Sequence, residues 1–163
     1  MLVDNKYIFE ILRCPKSGRK LIKTGDRLVT EGCEEKITYS IVNSYPIMID
    51  FDKSILEESD VASLSSVVVR PSYGGILGLI KWIASPANYT NKENVEHILN
   101  LLLSSKPVAR VLVVGGGSVG EGMEPLYDDS RVELISFDIY GSPTVQLIAD
   151  AHNNHFLKIA SMQ

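Results

Sequence analysis

The run Arg110-Val111-Leu112-Val113-Val114-Gly115-Gly116-Gly117-Ser118-Val119-Gly120 constrains this chain more than any other segment. Four aliphatic residues in a row, Val111 to Val114, predict a central parallel strand covered on both faces. Gly115, Gly117 and Gly120 follow in the spacing G-x-G-x-x-G. The missing Cβ atoms there permit a tight turn, close approach of a ligand and close helix packing, so a helix is expected to open out of the glycine loop. A second apolar run, Val132-Glu133-Leu134-Ile135-Ser136-Phe137, ends at Asp138, eighteen residues after Gly120. A third, Val145-Gln146-Leu147-Ile148-Ala149, ends in Asp150-Ala151-His152. Strand, glycine loop, helix, strand, acid, strand, acid is the order of a site for a ribose-bearing ligand, because a carboxylate at a strand end can accept both ribose hydroxyls. The plainer reading of Asp138 and Asp150 is that each is a solvated strand end.

The segment from about Pro107 to His155 resembles the front half of a class I S-adenosylmethionine-dependent methyltransferase of the methyltransferase type 11 group. Val111 to Gly117 is similar to that family's first motif and Phe137-Asp138-Ile139-Tyr140 to its second. Ile148-Ala149-Asp150-Ala151-His152-Asn153 is similar to its adenine-recognition segment. The resemblance implies S-adenosylmethionine as methyl donor, held by Gly115, Gly116, Gly117, Gly120, Asp138, Ile139, Asp150 and Ala151. In that arrangement the backbone of Gly115 to Gly117 faces the methionine part, Asp138 the ribose hydroxyls, and Asp150 with Ala151 the adenine edge. The sequence departs from the family at Val113, where an acid is usual, and at Val119, where glycine is common. The glycine spacing suits a dinucleotide fold equally, and it is Asp150-Ala151-His152 that favours the methyl donor. No residue is assigned as a catalytic base.

The first fifty residues carry a separate resemblance. Apolar residues at helical spacing (Ile8, Ile11, Leu12) predict a helix over Lys6 to Arg13, which Pro15 bars from continuing. Strands are expected at Lys20 to Lys23 and Arg27 to Thr30, joined through Thr24-Gly25-Asp26, then at Lys36 to Val42 and Tyr45 to Phe51. With Ile8 to Gly18 and Tyr45-Pro46-Ile47-Met48-Ile49-Asp50, this resembles a Trm112-like small α+β domain. Some members of that family hold zinc with four cysteines. Here Ser17 stands at the second knuckle position, and Cys14 and Cys33 are the two cysteines of the chain. Two thiolates do not close a four-coordinate structural site, so no metal is expected and both cysteines are expected as buried free thiols.

Between these units, Ile76 to Ala84 is strongly apolar but is interrupted by Lys81 and falls short of a membrane span. It is expected as a packed helix or a lid. Thr90-Asn91-Lys92-Glu93 reads as a capping box opening a helix with Val95, Ile98, Leu99, Leu102 and Leu103 on its apolar face. His97 reads as a packing or surface residue, and His152 with His155 lacks further ligands for a metal. The chain is 45% hydrophobic and 22% charged, enough apolar material for a core. A net charge of −4 without a basic cluster argues against direct nucleic-acid binding. The N-terminal residues contain no signal-peptide apolar region, so a soluble cytoplasmic protein without membrane association is expected.

These readings divide the chain into a Trm112-like α+β domain (1–53), a helical connecting segment (54–106) and the N-terminal half of a Rossmann-like donor-binding domain (107–163). From Pro107 only 57 residues remain, room for about three strands and two helices, against about seven strands in a methyltransferase of this type. The expectation is an N-terminal part of a longer enzyme, inactive alone, whose acceptor is a small molecule or another unidentified substrate. An unpaired edge at Val111 or at Val145 to Ala149 would lead copies of the chain to self-associate. Two other functions stay open: a noncatalytic scaffold that binds a partner methyltransferase, and an NAD(P)-dependent oxidoreductase.

Overall fold

The computed structural model describes residues 1–32, 34–62 and 89–153. The expectations for Cys33, Ile76 to Ala84 and His155 lie outside them. Helix α1 (Asn5–Ile11) starts where the Asp4 carboxylate accepts the Lys6 amide and stops short of Pro15. Four antiparallel strands follow in the order β1 (Leu21–Thr24), β2 (Arg27–Thr30), β3 (Thr38–Val42), β4 (Tyr45–Pro46). The register Thr24↔Arg27 leaves Gly25-Asp26 as a two-residue turn, with Gly25 at φ +61°. The register Val42↔Tyr45 leaves Asn43-Ser44, both at positive φ, which is the type I′ geometry that matches strand twist. The helix and meander expected of the first fifty residues are therefore present, with β3 and β4 shorter than expected.

After α2 (Glu58–Ala62) and α3 (Tyr89–Ser105) comes a parallel sheet, β5 (Ala109–Val114), β6 (Val132–Asp138) and β7 (Leu147–Ile148), in the order β5-β6-β7. Between β5 and β6 lies α4 (Glu124–Asp128). The molecule is thus mixed α/β, with an antiparallel meander and a separate parallel sheet. No described helix is long and apolar enough to cross a membrane.

Side chains alternate across a strand, and β6 uses both faces. Ile135 and Phe137 share a core with Ile8, Leu12, Leu21, Leu28 and Met48 from the first fifty residues. Val132 and Leu134 pack with Val95, Leu99 and Leu126 of α3 and α4. The sheet is covered on one face by α1 and the meander and on the other by the later helices. Backbone pairing joins the same parts. Leu2 bridges Leu134 and Ile47 bridges Ile148, both parallel. The expected open edge at Val145 to Ala149 is consequently occupied: the Met48 amide donates to the Ile148 carbonyl at 2.7 Å.

Four local expectations need correction. Among the described residues β6, not β5, is the central strand, and Val111 to Val113 are half-buried with Val114 57% exposed. No helix opens from the glycine loop. Residues 115–123 are irregular and α4 begins at Glu124, because Gly120 and Gly122 disfavour helix while Pro125 suits a first turn. Helix α3 already includes Tyr89, so the Thr90 capping box lies inside it rather than at its start. On α3, Val95 and Leu99 are buried, but Ile98 is exposed, which narrows the apolar face.

Candidate functional site

Parallel strands β5 and β6 run in register from Ala109↔Val132 to Val114↔Phe137, so their carboxyl ends deliver the glycine loop and Asp138 to one place. The Phe137 carbonyl accepts from the amides of Gly115 and Gly116 at 3.0 and 3.1 Å. Asp138 is 9% exposed and holds the loop from the side: its Oδ2 accepts the Gly117 amide at 2.8 Å and its Oδ1 the Ile139 amide at 2.7 Å. A carboxylate offers about four acceptor positions, so these two bonds leave about two for hydroxyls of a ligand. Ile139 is partly exposed beside it, and Gly120 accepts the Met123 amide at the far end of the loop.

Each glycine of the triplet meets a demand made by the chain itself. Gly115 sits at φ +73°, a region that other residues enter at a cost. A Cβ on Gly116 would collide with Ser136 Oγ, and one on Gly117 would stand 2.5 Å from Cε2, Cζ and the hydroxyl oxygen of Tyr140. The Gly116 carbonyl also accepts the Thr144 hydroxyl at 2.7 Å. Ser136 Oγ is fully buried with no hydrogen-bond partner among the described residues.

Asp150 lies at the end of β7, 6% exposed. Its Oδ2 accepts the Ser54 hydroxyl at 2.7 Å, and its Oδ1 meets the His152 amide at 2.9 Å and the His152 ring Nδ1 at 3.0 Å. The Ser54 hydrogen bond, reinforced by His152, holds the Asp150 carboxyl below the usual carboxylate range despite its burial. Three partners leave about one acceptor position. Ala151 is exposed at the start of a 3-10 turn, Ala151–Asn153. The structure therefore joins Gly115, Gly116, Gly117, Asp138 and Ile139 in one constellation, whereas Asp150 is tied instead to Ser54 and Ala151 faces solvent.

Sequence reasoning assigned no role to Ser54, Ser136, Tyr140 or Thr144. Thr144 lies in the turn signal Gly141-Ser142-Pro143-Thr144, which marks a loop but not its target. Ser54 acts across 96 residues, for which a sequence carries no local sign.

Elsewhere, Cys14 is buried, as expected, with Sγ 3.2 Å from the Tyr39 hydroxyl. Burial pushes the thiol up, but hydrogen bonds from Ser17, Tyr39 and the Lys16 and Ser17 backbone outweigh it and leave the thiol below its ordinary value. Burial, then the Cys14 contact, pushes the Tyr39 phenol up. Asp50 is buried and pairs with Lys16 Nζ at 3.2 Å; Lys16 also pairs with Asp52. Among the described residues no three His, Cys, Asp or Glu side chains converge as metal ligands. A cavity of about 370 Å³ is lined by Lys16, Ile37, Tyr39, Ile49, Phe51 and Asp52, and the glycine loop does not border it.

No protein-family model, curated protein or solved structure matches this chain.

Proposed function

We propose that this chain is the donor-binding part of an S-adenosylmethionine-dependent methyltransferase, with the donor seated at the carboxyl ends of β5 and β6. The single observation that carries this reading is the Gly117 amide on Asp138 Oδ2. It gathers a glycine loop and a buried strand-end carboxylate, 21 residues apart, at the sheet edge where parallel α/β folds collect ligands. The residues fit a ribose, since Asp138 keeps about two acceptor positions free. In this reading the donor supplies the sulfonium methyl group. Asp138 orients the ribose, and the chain contributes to methyl transfer by holding the donor in place rather than by covalent catalysis.

The dinucleotide alternative fits less well. A pyrophosphate needs the amide groups of a helix opening from the glycine loop, and here the next helix along the chain starts only at Glu124 and has five residues. One observation favours the noncatalytic alternative: Gly115, Gly116 and Gly117 are each accounted for by internal geometry without a ligand. Titration calorimetry decides among the three. S-adenosylhomocysteine should bind the chain, and Asp138→Ala should weaken binding by about 1.5 to 3 kcal/mol through loss of hydrogen bonds to a charged acceptor. NADH binding in its place would establish the oxidoreductase reading, and absence of both would leave the scaffold.

A further inference from the structure

The space that the missing Cβ of Gly117 would open to a ligand is already filled. Three atoms of the Tyr140 side chain, Cε2, Cζ and the hydroxyl oxygen, each stand 2.5 Å from that Cβ position, so the ring lies flush against the Gly117 backbone. The amide of the same residue is committed to Asp138 Oδ2. We propose that Tyr140 is a rotameric gate, and that its ring must leave Gly117 before the methionine part of the donor can reach the loop. The inference rests on the donor reading above and adds to it how access is controlled.

The backbone around the ring is held, which confines the motion to the side chain. Tyr45, at the start of β4, donates its hydroxyl to the Ser142 carbonyl at 3.0 Å, and a Cβ on the adjacent Gly141 would lie 3.2 Å from the Tyr45 ring. Thr144, two residues beyond Ser142, ties back to the Gly116 carbonyl. Loop and glycine turn are therefore braced against each other and against the meander. Rotation about the Cα–Cβ bond of Tyr140 is the motion that clears Gly117 without breaking any of these bonds. Tyr140 is only half-buried, so an outward rotamer has solvent to enter. A binding-competent state populated only in part weakens the apparent affinity by its fraction, which makes the gate measurable as affinity.

The test uses the 163-residue chain and S-adenosylhomocysteine as probe. Tyr140→Ala should bind it about tenfold more tightly than the unsubstituted chain, with the gain in the association rate. Tyr140→Phe should stay close to the unsubstituted chain, because Cε2 and Cζ still fill the space when the hydroxyl is gone. In the unsubstituted chain, nuclear Overhauser contacts between the Tyr140 ring and Gly117 should be present in the free protein and lost on saturation with the probe. Binding by the unsubstituted chain with those contacts intact, or equal or weaker binding by Tyr140→Ala, overturns the gate and leaves the donor reading standing. Failure of all three proteins to bind refutes the donor reading, and the gate with it.

Discussion

The Met48 amide donates to the Ile148 carbonyl at 2.7 Å, a bond spanning one hundred residues that makes the end of the meander a neighbour of β7. Tyr45 and Gln146 repeat the connection on either side, through Ser142 and Val3. Ile8 and Leu12 supply the core under Phe137 and Leu147. Neither part can lose its structure without exposing the other's buried surface. Unfolding followed by hydrogen exchange should accordingly show β2 and β6 amides protected to the same free energy. Leu12→Ala should lower both together by about 2 to 5 kcal/mol, since Leu12 is fully buried. Loss of protection in β2 alone would show two independent units.

What the sequence showed of this fold was what neighbouring residues determine. Alternation and turn residues located β1, β2 and β3, apolar runs located β5, β6 and β7, and Pro15 with Ile8, Ile11 and Leu12 located α1. Pro125 stands in the first turn of α4, a local start signal that the expectation of a helix out of the glycine loop leaves out. What was not legible acts between distant segments: Leu2 on Leu134, Ile47 on Ile148, Ser54 on Asp150. Such pairings are set by shape once the elements have formed, and a single sequence contains no trace of them. The candidate site divides in the same way. Gly115 to Gly117 and Asp138 could be named from spacing, whereas Tyr140 and Ser136 filling the glycine positions could not.

Ser44 occupies a left-handed position at φ +71° in the β3–β4 turn, where a side chain costs about 1 kcal/mol relative to glycine. Asn43, at φ +48°, is a residue that tolerates this region, so the strain is concentrated at Ser44. Ser44→Gly should stabilise the chain by up to about 0.5 kcal/mol, the relief of strain slightly exceeding the added freedom of the unfolded chain. Urea denaturation with an unchanged slope would measure it. A lower midpoint would contradict the I′ assignment.

Asp150 titrates below its ordinary value in the folded state, with the Ser54 hydroxyl the largest cause. A depressed folded value means that the carboxylate stabilises the fold above its unfolded pKa of about 3.9, and that this contribution is lost as pH falls through the folded value. Ser54→Ala should move the Asp150 carboxyl upward in a carboxyl-carbon NMR titration. It should also cost about 1 kcal/mol at pH 7, an effect that fades below about pH 4. A cost that persists unchanged at pH 3 would mean that Ser54 acts by packing and not through Asp150.

Gly116 and Ser136 face each other across β5 and β6 with no room for another atom. A Cβ on Gly116 would collide with Ser136 Oγ and would also lie 3.3 Å from Ser136 Cβ and 3.2 Å from Val113 Cγ1. Ser136 is fully buried in the central strand, so it has nowhere to retreat. Gly116→Ala should therefore destabilise the chain by about 1 to 3 kcal/mol, as overpacking in a closed interior does. Removing the obstructing side chain in Ser136→Gly should recover part of that loss in the double variant, leaving only the closer approach to Val113. The two substitutions should couple by about 1 kcal/mol in a thermodynamic cycle, because they share one contact. Strictly additive costs would show that the glycine loop moves aside and that Gly116 is free to accept a side chain. In that case donor affinity, measured on Gly116→Ala, should survive as well.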